Sequence, residues 1–85
     1  MNFTPNGLAD LTWWVKNDHR QAARILDLID EIRRDPRSGR GKPEQLQGGG
    51  NIWSRRINQR DRLVYEIGGG DQITVLACRF HFDDH

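Results

Sequence analysis

The sequence has a single cysteine, Cys78, so it can form no internal disulfide, which fits a reducing compartment. It is also short: 85 residues bound it to one domain, residues 1–85, with a small core. It lacks any long apolar run. The longest, Ile73 to Cys78, contains Thr74 and falls far short of the ~20 residues of a membrane span. No basic start followed by an apolar block opens the chain, so no secretory signal and no membrane attachment are expected, and the expected location is the cytoplasm. Net charge is only +1. Disorder is excluded by what remains, since 35% of residues are hydrophobic and three Trp, three Phe and one Tyr are available for a core.

The small net charge conceals an asymmetry. From Arg33 to Arg62, nine basic residues face only Asp35, Glu44 and Asp61, a net +6, and the rest of the chain carries −5. A basic middle on a near-neutral protein points to an anionic partner. Eleven of the thirteen basic residues are arginine. Its planar fork grips phosphate oxygens two at a time, where lysine acts as a point charge.

The chain reads as two helices followed by a sheet. Met1 to Phe3 suits a short edge strand. Thr4-Pro5 is a helix N-cap followed by proline at the first helical position. Leu8, Leu11, Trp14 and Val15 recur at helical spacing. Asp18 with Gln21 three residues on starts a second helix, with Ala22, Ile25, Leu26, Ile29 and Ile32 as its buried stripe. Asp35-Pro36 stops it, because the residue before proline avoids the α region. Pro36 to Gly50 reads as loop, with at most a short strand around Gln45 to Gln47. Three β-like runs follow, Ile52–Ile57, Arg62–Ile67 and Gln72–Phe80, divided by Asn58–Asp61 and by Gly68–Asp71. The expected fold class is α+β, with two N-terminal helices packed on one face of an antiparallel sheet.

Strand alternation predicts the shared surfaces. Leu63, Tyr65 and Ile67 should lie under the helices, leaving Arg62 and Glu66 on the opposite face. Ser54 and Arg56 share one parity. Ile73, Val75, Ala77, Arg79 and His81 share another, with a polar end at Arg79 and His81. A face of arginines and a histidine, rimmed by the loop carrying Glu44, would form a cleft for RNA. Trp13 and Trp14 cannot both face one core, so one of them is expected to mark a contact surface.

Two suggestive patterns fail. Gly39-Arg40-Gly41-Lys42 lacks the glycine five residues before Gly41 and the hydroxyl after the lysine that a phosphate loop requires. The tail His81-Phe82-Asp83-Asp84-His85 offers metal-ligand types without a scaffold to fix them, so neither a metal nor another cofactor is expected. Cys78 sits in an apolar run and reads as core. Glu44, Arg56, Arg62 and His81 have a chemical use. Cleaving RNA without a metal takes a base for the 2′-hydroxyl, cations for the charge growing on the phosphate, and an acid for the departing 5′-oxygen. Glutamate and histidine, which ordinarily titrate near ~4.3 and ~6.5, can serve as base and acid. Such residues occur in most domains, so their spacing alone does not single them out.

Longer motifs do. Gly39-Arg40-Gly41-Lys42-Pro43-Glu44-Gln45-Leu46 resembles the G-x-G-K-P-E-x-L loop of YoeB-type toxins. Trp53-Ser54-Arg55-Arg56-Ile57 and Arg62-Leu63-Val64-Tyr65 are similar to that family's W-S-R-R-I and R-L-V-Y segments. Ala77-Cys78-Arg79-Phe80-His81-Phe82 is similar to its A-C-R-x-H-Y/F. The chain thus resembles a YoeB-type toxin of a type II toxin–antitoxin system, within the RelE superfamily. The resemblance implies a microbial-ribonuclease-like fold and a metal-independent endoribonuclease that cuts mRNA in the ribosomal A site through 2′-hydroxyl attack. It puts the base on Glu44, the acid on His81, the phosphate-stabilising guanidinium on Arg62 and a base-stacking aromatic on Phe82. It makes Arg56, Lys42, Arg55 and Arg79 substrate contacts. The implied partners are a YefM-like antitoxin, the ribosome with its mRNA, and a second copy in a homodimer. Many relatives have tyrosine at the Phe82 position and end there, whereas this chain continues with Asp83, Asp84 and His85. The alternative is a non-catalytic module that blocks translation by binding RNA or the ribosome.

Overall fold

The computed structural model describes residues 1–46, 48 and 50–79. Among the described residues two α-helices and five strands follow in chain order: β1 (Asn2–Phe3), α1 (Pro5–Asn17), α2 (His19–Arg34), β2 (Glu44–Gln45), β3 (Ile52–Arg56), β4 (Arg62–Ile67) and β5 (Ile73–Ala77), with a 3-10 turn at Gly69–Asp71 before β5. The strands form one sheet in the order β1-β5-β4-β3-β2, antiparallel except that β1 runs parallel to β5. The α+β architecture expected from the sequence is therefore present, with a mixed pairing at one edge.

Local chemistry explains the helix ends. The Thr4 hydroxyl accepts from the Gly7 N–H, and Pro5 opens α1, where its missing N–H costs nothing. A single residue, Asp18, ends α1 and caps α2, its carboxylate accepting from the Gln21 N–H. Asp35 closes α2 ahead of Pro36.

Three residues of the expected stripes, Leu8, Val15 and Leu26, are exposed. On α1 the buried residues are Gly7 and Trp14, with Leu11 half-buried, while Leu8 and Val15 are exposed. The reason is Gly7, invisible to a hydropathy pattern. It lets the helix backbone approach β5 so closely that a Cβ there would lie 2.5 Å from the Val75 carbonyl oxygen. On α2 the core line is Ala22, Ile25, Leu28, Ile29 and Ile32, so Leu28 replaces the expected Leu26, which sits one residue beyond Ile25 and faces solvent. Each fully buried aliphatic such as Ile25, Leu28 or Ile32 stabilises by about 1.5–3 kcal/mol. Replacing Gly7 with alanine is expected to cost about 1–3 kcal/mol, because backbone must move to admit the methyl group. A urea midpoint equal to that of the parent would show that α1 has room to shift.

The sheet face beneath the helices carries Leu63, Tyr65, Ile67, Ile73 and Val75, all buried. A bulge between Val64 and Tyr65 shifts the β4–β5 register, so Tyr65 pairs with Val75 but Val64 pairs with Ala77. Ala77 therefore leaves the parity of Ile73 and Val75 and joins the opposite face, against the expected alternation. The loop strand is Glu44–Gln45, one residue earlier than expected, and β5 stops at Ala77. Gln47 and Phe80, the expected far ends of those strands, lie outside the described residues.

Candidate functional site

The sheet face turned away from the helices collects the polar residues. Glu44 pairs with Ser54, Ser54 with Val64, and Val64 with Ala77, so these four form one row across β2, β3, β4 and β5. One step along, Arg56 and Arg62 stand directly opposite each other. Like charges in opposed positions destabilise a sheet. Here one acidic residue bridges the gap in charge: the Arg62 Nη2 donates to Glu44 Oε1 at 2.9 Å. The Arg62 Nε donates to the Ser54 hydroxyl at 3.0 Å. Arg62 is mostly covered, with 14% of its side chain exposed, whereas the Glu44 side chain is 67% exposed. Arg56 is exposed beside them, and Lys42 is exposed two residues before Glu44.

Glu44 is delivered by the loop between α2 and β2, which a buried arginine holds in place. Arg55 follows the parity of Trp53 and Ile57, so it points into the helix side of the sheet and is 0% exposed. Its Nη2 donates to the carbonyls of Asp35 (2.8 Å) and Ser38 (2.7 Å). Its Nη1 donates to the Arg40 carbonyl (3.3 Å) and to Glu31 (3.4 Å). Its Nε donates to the Tyr65 hydroxyl at 3.2 Å, which donates in turn to the Pro36 carbonyl at 2.7 Å. Glu31 also accepts from the backbone N–H and the guanidinium of Arg40, both at 2.6 Å. The backbone hydrogen bond, then the side-chain one, hold the Glu31 carboxyl below the usual carboxylate range, so the tie is intact at neutral pH. Gly41, at φ 84°, lies flat on β3, and its carbonyl accepts from the Arg56 N–H at 2.7 Å. Glu44 is thus fixed at its root, and its solvent-exposed tip meets Arg62.

The arrangement sets an exposed carboxylate beside one anchored guanidinium, Arg62, and one exposed arginine, Arg56, on an open face. It suits a strand-shaped anion with a proton to lose. The YoeB-like toxin family of bacterial type II toxin–antitoxin systems matches residues 3–82. The chain belongs to that family. Toxin RelK of Mycobacterium tuberculosis is 48% identical over 83 residues, 96% of this chain and 96% of its own length. Among solved structures, a YoeB/ParE toxin from Agrobacterium tumefaciens aligns with a TM-score of 0.89 at 40% identity, covering 95% of this chain and 96% of that one. The YoeB dimer from Staphylococcus aureus and that organism's heterotetrameric YoeB–YefM complex align with TM-scores of 0.85 at 32% identity, covering 95% of this chain and 94% of theirs.

Within this YoeB-like chain the expected site residues divide. Glu44, Arg56 and Arg62 meet on one face, and Lys42 lies at its rim. Arg55 does not join them: its N–H donors are turned inward to the loop, so its expected contact with substrate is corrected to a structural role. Arg79 stacks on Trp13 with its guanidinium carbon 3.7 Å from the ring centroid. Trp13 in turn meets Trp14 edge-on at 5.1 Å. Of the two tryptophans, Trp14 lies in the core, while Trp13 is half-buried and carries an arginine of the same chain. His81 and Phe82 lie outside the described residues, as do Asp83 to His85. Ser54 is the residue that sequence reasoning passed over. Its signal was the pairing itself, which sets a small hydroxyl diagonal to Arg62. Cys78 is core, its thiol pushed up to about 12, first by burial and then by the nearby Asp10 and Asp61 carboxylates. A cleft of about 460 Å³ lined by Trp14, Asp18, Gln21, Asn58, Gln59, Arg60 and Asp61 opens at the β3–β4 turn and includes neither Glu44 nor Arg62. Among the described residues no helix is long and apolar enough to cross a membrane.

Proposed function

We propose that this toxin is an endoribonuclease that cuts mRNA in the ribosomal A site and so stops translation. The observation that supports this reading most is the opposed pair Arg56 and Arg62 on an open sheet face, with Glu44 held against Arg62. Glu44 takes the proton of a ribose 2′-hydroxyl, and that oxygen attacks the adjoining phosphorus. Arg62, with Arg56 beside it, holds the charge that grows on the phosphoryl oxygens. The bond to the 5′-oxygen breaks as His81 supplies its proton, leaving a 2′,3′-cyclic phosphate and a 5′-hydroxyl. Phe82 stacks on the target base, and Lys42 adds charge at the rim. Proton transfer and charge neutralisation are both supplied by side chains, so the step needs no metal.

The likeness to the Staphylococcus aureus YoeB dimer and YoeB–YefM complex supports two partners for this chain, a YefM-like antitoxin and a second copy of itself. Ribosome and mRNA complete the set, and the cytoplasm is where they meet. In a translating extract the protein is expected to create new mRNA ends bearing 5′-hydroxyl groups. Purified ribosomal complexes should be cut equally well after chelation, once the ribosome's own magnesium requirement is met. A translational block without new ends would favour the non-catalytic reading, and cleavage abolished by chelation would remove the metal-free step.

A further inference from the structure

We infer that Ser54 is a positioning residue, whose hydroxyl fixes the Arg62 guanidinium so that the scissile phosphate is gripped along one edge while Glu44 stays at the other. The inference rests on the roles proposed above for Glu44 and Arg62 and adds how the two are held in register.

A guanidinium offers an oxyanion two forked edges. The side edge comprises Nε and the terminal nitrogen on the same flank, Nη2. The end edge comprises the two terminal nitrogens. Both observed contacts of Arg62 use the side edge, Nε to Ser54 at 3.0 Å and Nη2 to Glu44 at 2.9 Å. Of the end edge, Nη1 makes no hydrogen bond among the described residues, so that edge is the one left for phosphate. A phosphate seated there shares Nη2 with Glu44, which brings the base to the flank of the group under attack without breaking either contact.

The two anchors differ in kind. Ser54 is 1% exposed, so neither water nor an incoming anion competes for its hydroxyl. The Glu44 contact is open, with that side chain 67% exposed. Glu44 alone would be displaced whenever the side edge swung toward phosphate, because an exposed ion pair is weak. The buried hydroxyl prevents the swing. Its strand position, diagonal to Arg62 across β3 and β4, is what gives it this reach.

Ser54→Ala is therefore expected to lower the saturated cleavage rate about tenfold, in line with losing one hydrogen bond to a charged group, with little change in affinity for programmed ribosomes. Ser54→Thr, which keeps the hydroxyl on a β-branched side chain suited to a strand, should restore most of the rate. In an Arg62→Lys background Ser54→Ala should have no further effect, since lysine has no forked edge to orient. Separately from activity, the Arg62 Nε–H should exchange slowly with solvent by nitrogen-15 NMR in the parent and fast in Ser54→Ala. A parent that cleaves together with an unimpaired Ser54→Ala, or the same fractional loss in both backgrounds, would overturn the role of Ser54 alone. A parent that does not cleave would instead overturn the reading of the site.

Discussion

Arg55→Ala is expected to lose about 3–5 kcal/mol of folding stability, the cost of breaking a buried charged network from one side. The arginine is 0% exposed, and its five N–H groups reach three backbone carbonyls, Glu31 and the Tyr65 hydroxyl. Removing it leaves the carbonyls of Asp35, Ser38 and Arg40 without that donor, and leaves a void between sheet and loop. A domain of this size commonly holds only ~4–13 kcal/mol in total, so the variant should be partly unfolded at physiological temperature. Arg55→Lys should recover only part of the loss, since one ammonium cannot span carbonyls on three residues. A fall in the urea midpoint at unchanged slope is the measurement. A loss under 1 kcal/mol would show that the loop is held by its other contacts, such as Gly41 to Arg56.

The largest effect on function is expected at the reacting groups. Glu44→Ala, Arg62→Ala and His81→Ala should each lower single-turnover cleavage by ~10²-fold or more, the range for losing an acid, a base or a charge-stabilising group. The effects should not add, because in the proposed mechanism all three act on one transition state. Glu44 has two features that substitution can separate, its basicity and its contact with Arg62. Glutamine keeps an oxygen to accept from Arg62 but cannot take a proton. Glu44→Gln should therefore be as poor as Glu44→Ala if the carboxylate is the base. Near-parental activity for Glu44→Gln would reduce Glu44 to a holder of Arg62. Stability should be untouched in either variant, since most of the side chain lies in solvent.

Much of this frame is legible in the residues. Thr4-Pro5, Asp18 with Gln21, and Asp35-Pro36 mark the helix ends because capping is a local interaction, complete within one turn. The alternation in β4 finds the helix-facing set Leu63, Tyr65 and Ile67 for the same reason. What the pattern misses is set at a distance. Leu8 and Val15 are left outside because Gly7 rolls α1 toward β5, a contact between residues far apart in the chain. Ala77 changes face because of a bulge that no residue type announces. Glu44, Arg56 and Arg62 come together as expected, yet Arg55 reads as one more surface charge until its parity with Trp53 and Ile57 is followed. That parity places a charge under the helices, where only the carbonyls of a turning loop can satisfy it.

The seam between the first and last strands bears on when this protein can exist in folded form. Asn2 and Phe3 pair with Thr74 and Val75, and the Thr4 hydroxyl donates to the Leu76 carbonyl, 72 positions away. The Trp14 indole donates to the Cys78 carbonyl and the Cys78 N–H to Asp10, across 64 and 68 positions. Closing loops of that length costs entropy before any contact returns it. A nascent chain emerging N-terminus first makes α1 long before β5, the surface on which α1 sits, has been synthesised. Until then the Gly7–Trp14 flank has no seat, the sheet lacks the strand that joins β1 to β4, and the growing chain is a helical hairpin in search of a floor. The folded toxin is thus a property of chains that have been made through β5, and the ribosome translating its message carries only its unfinished form.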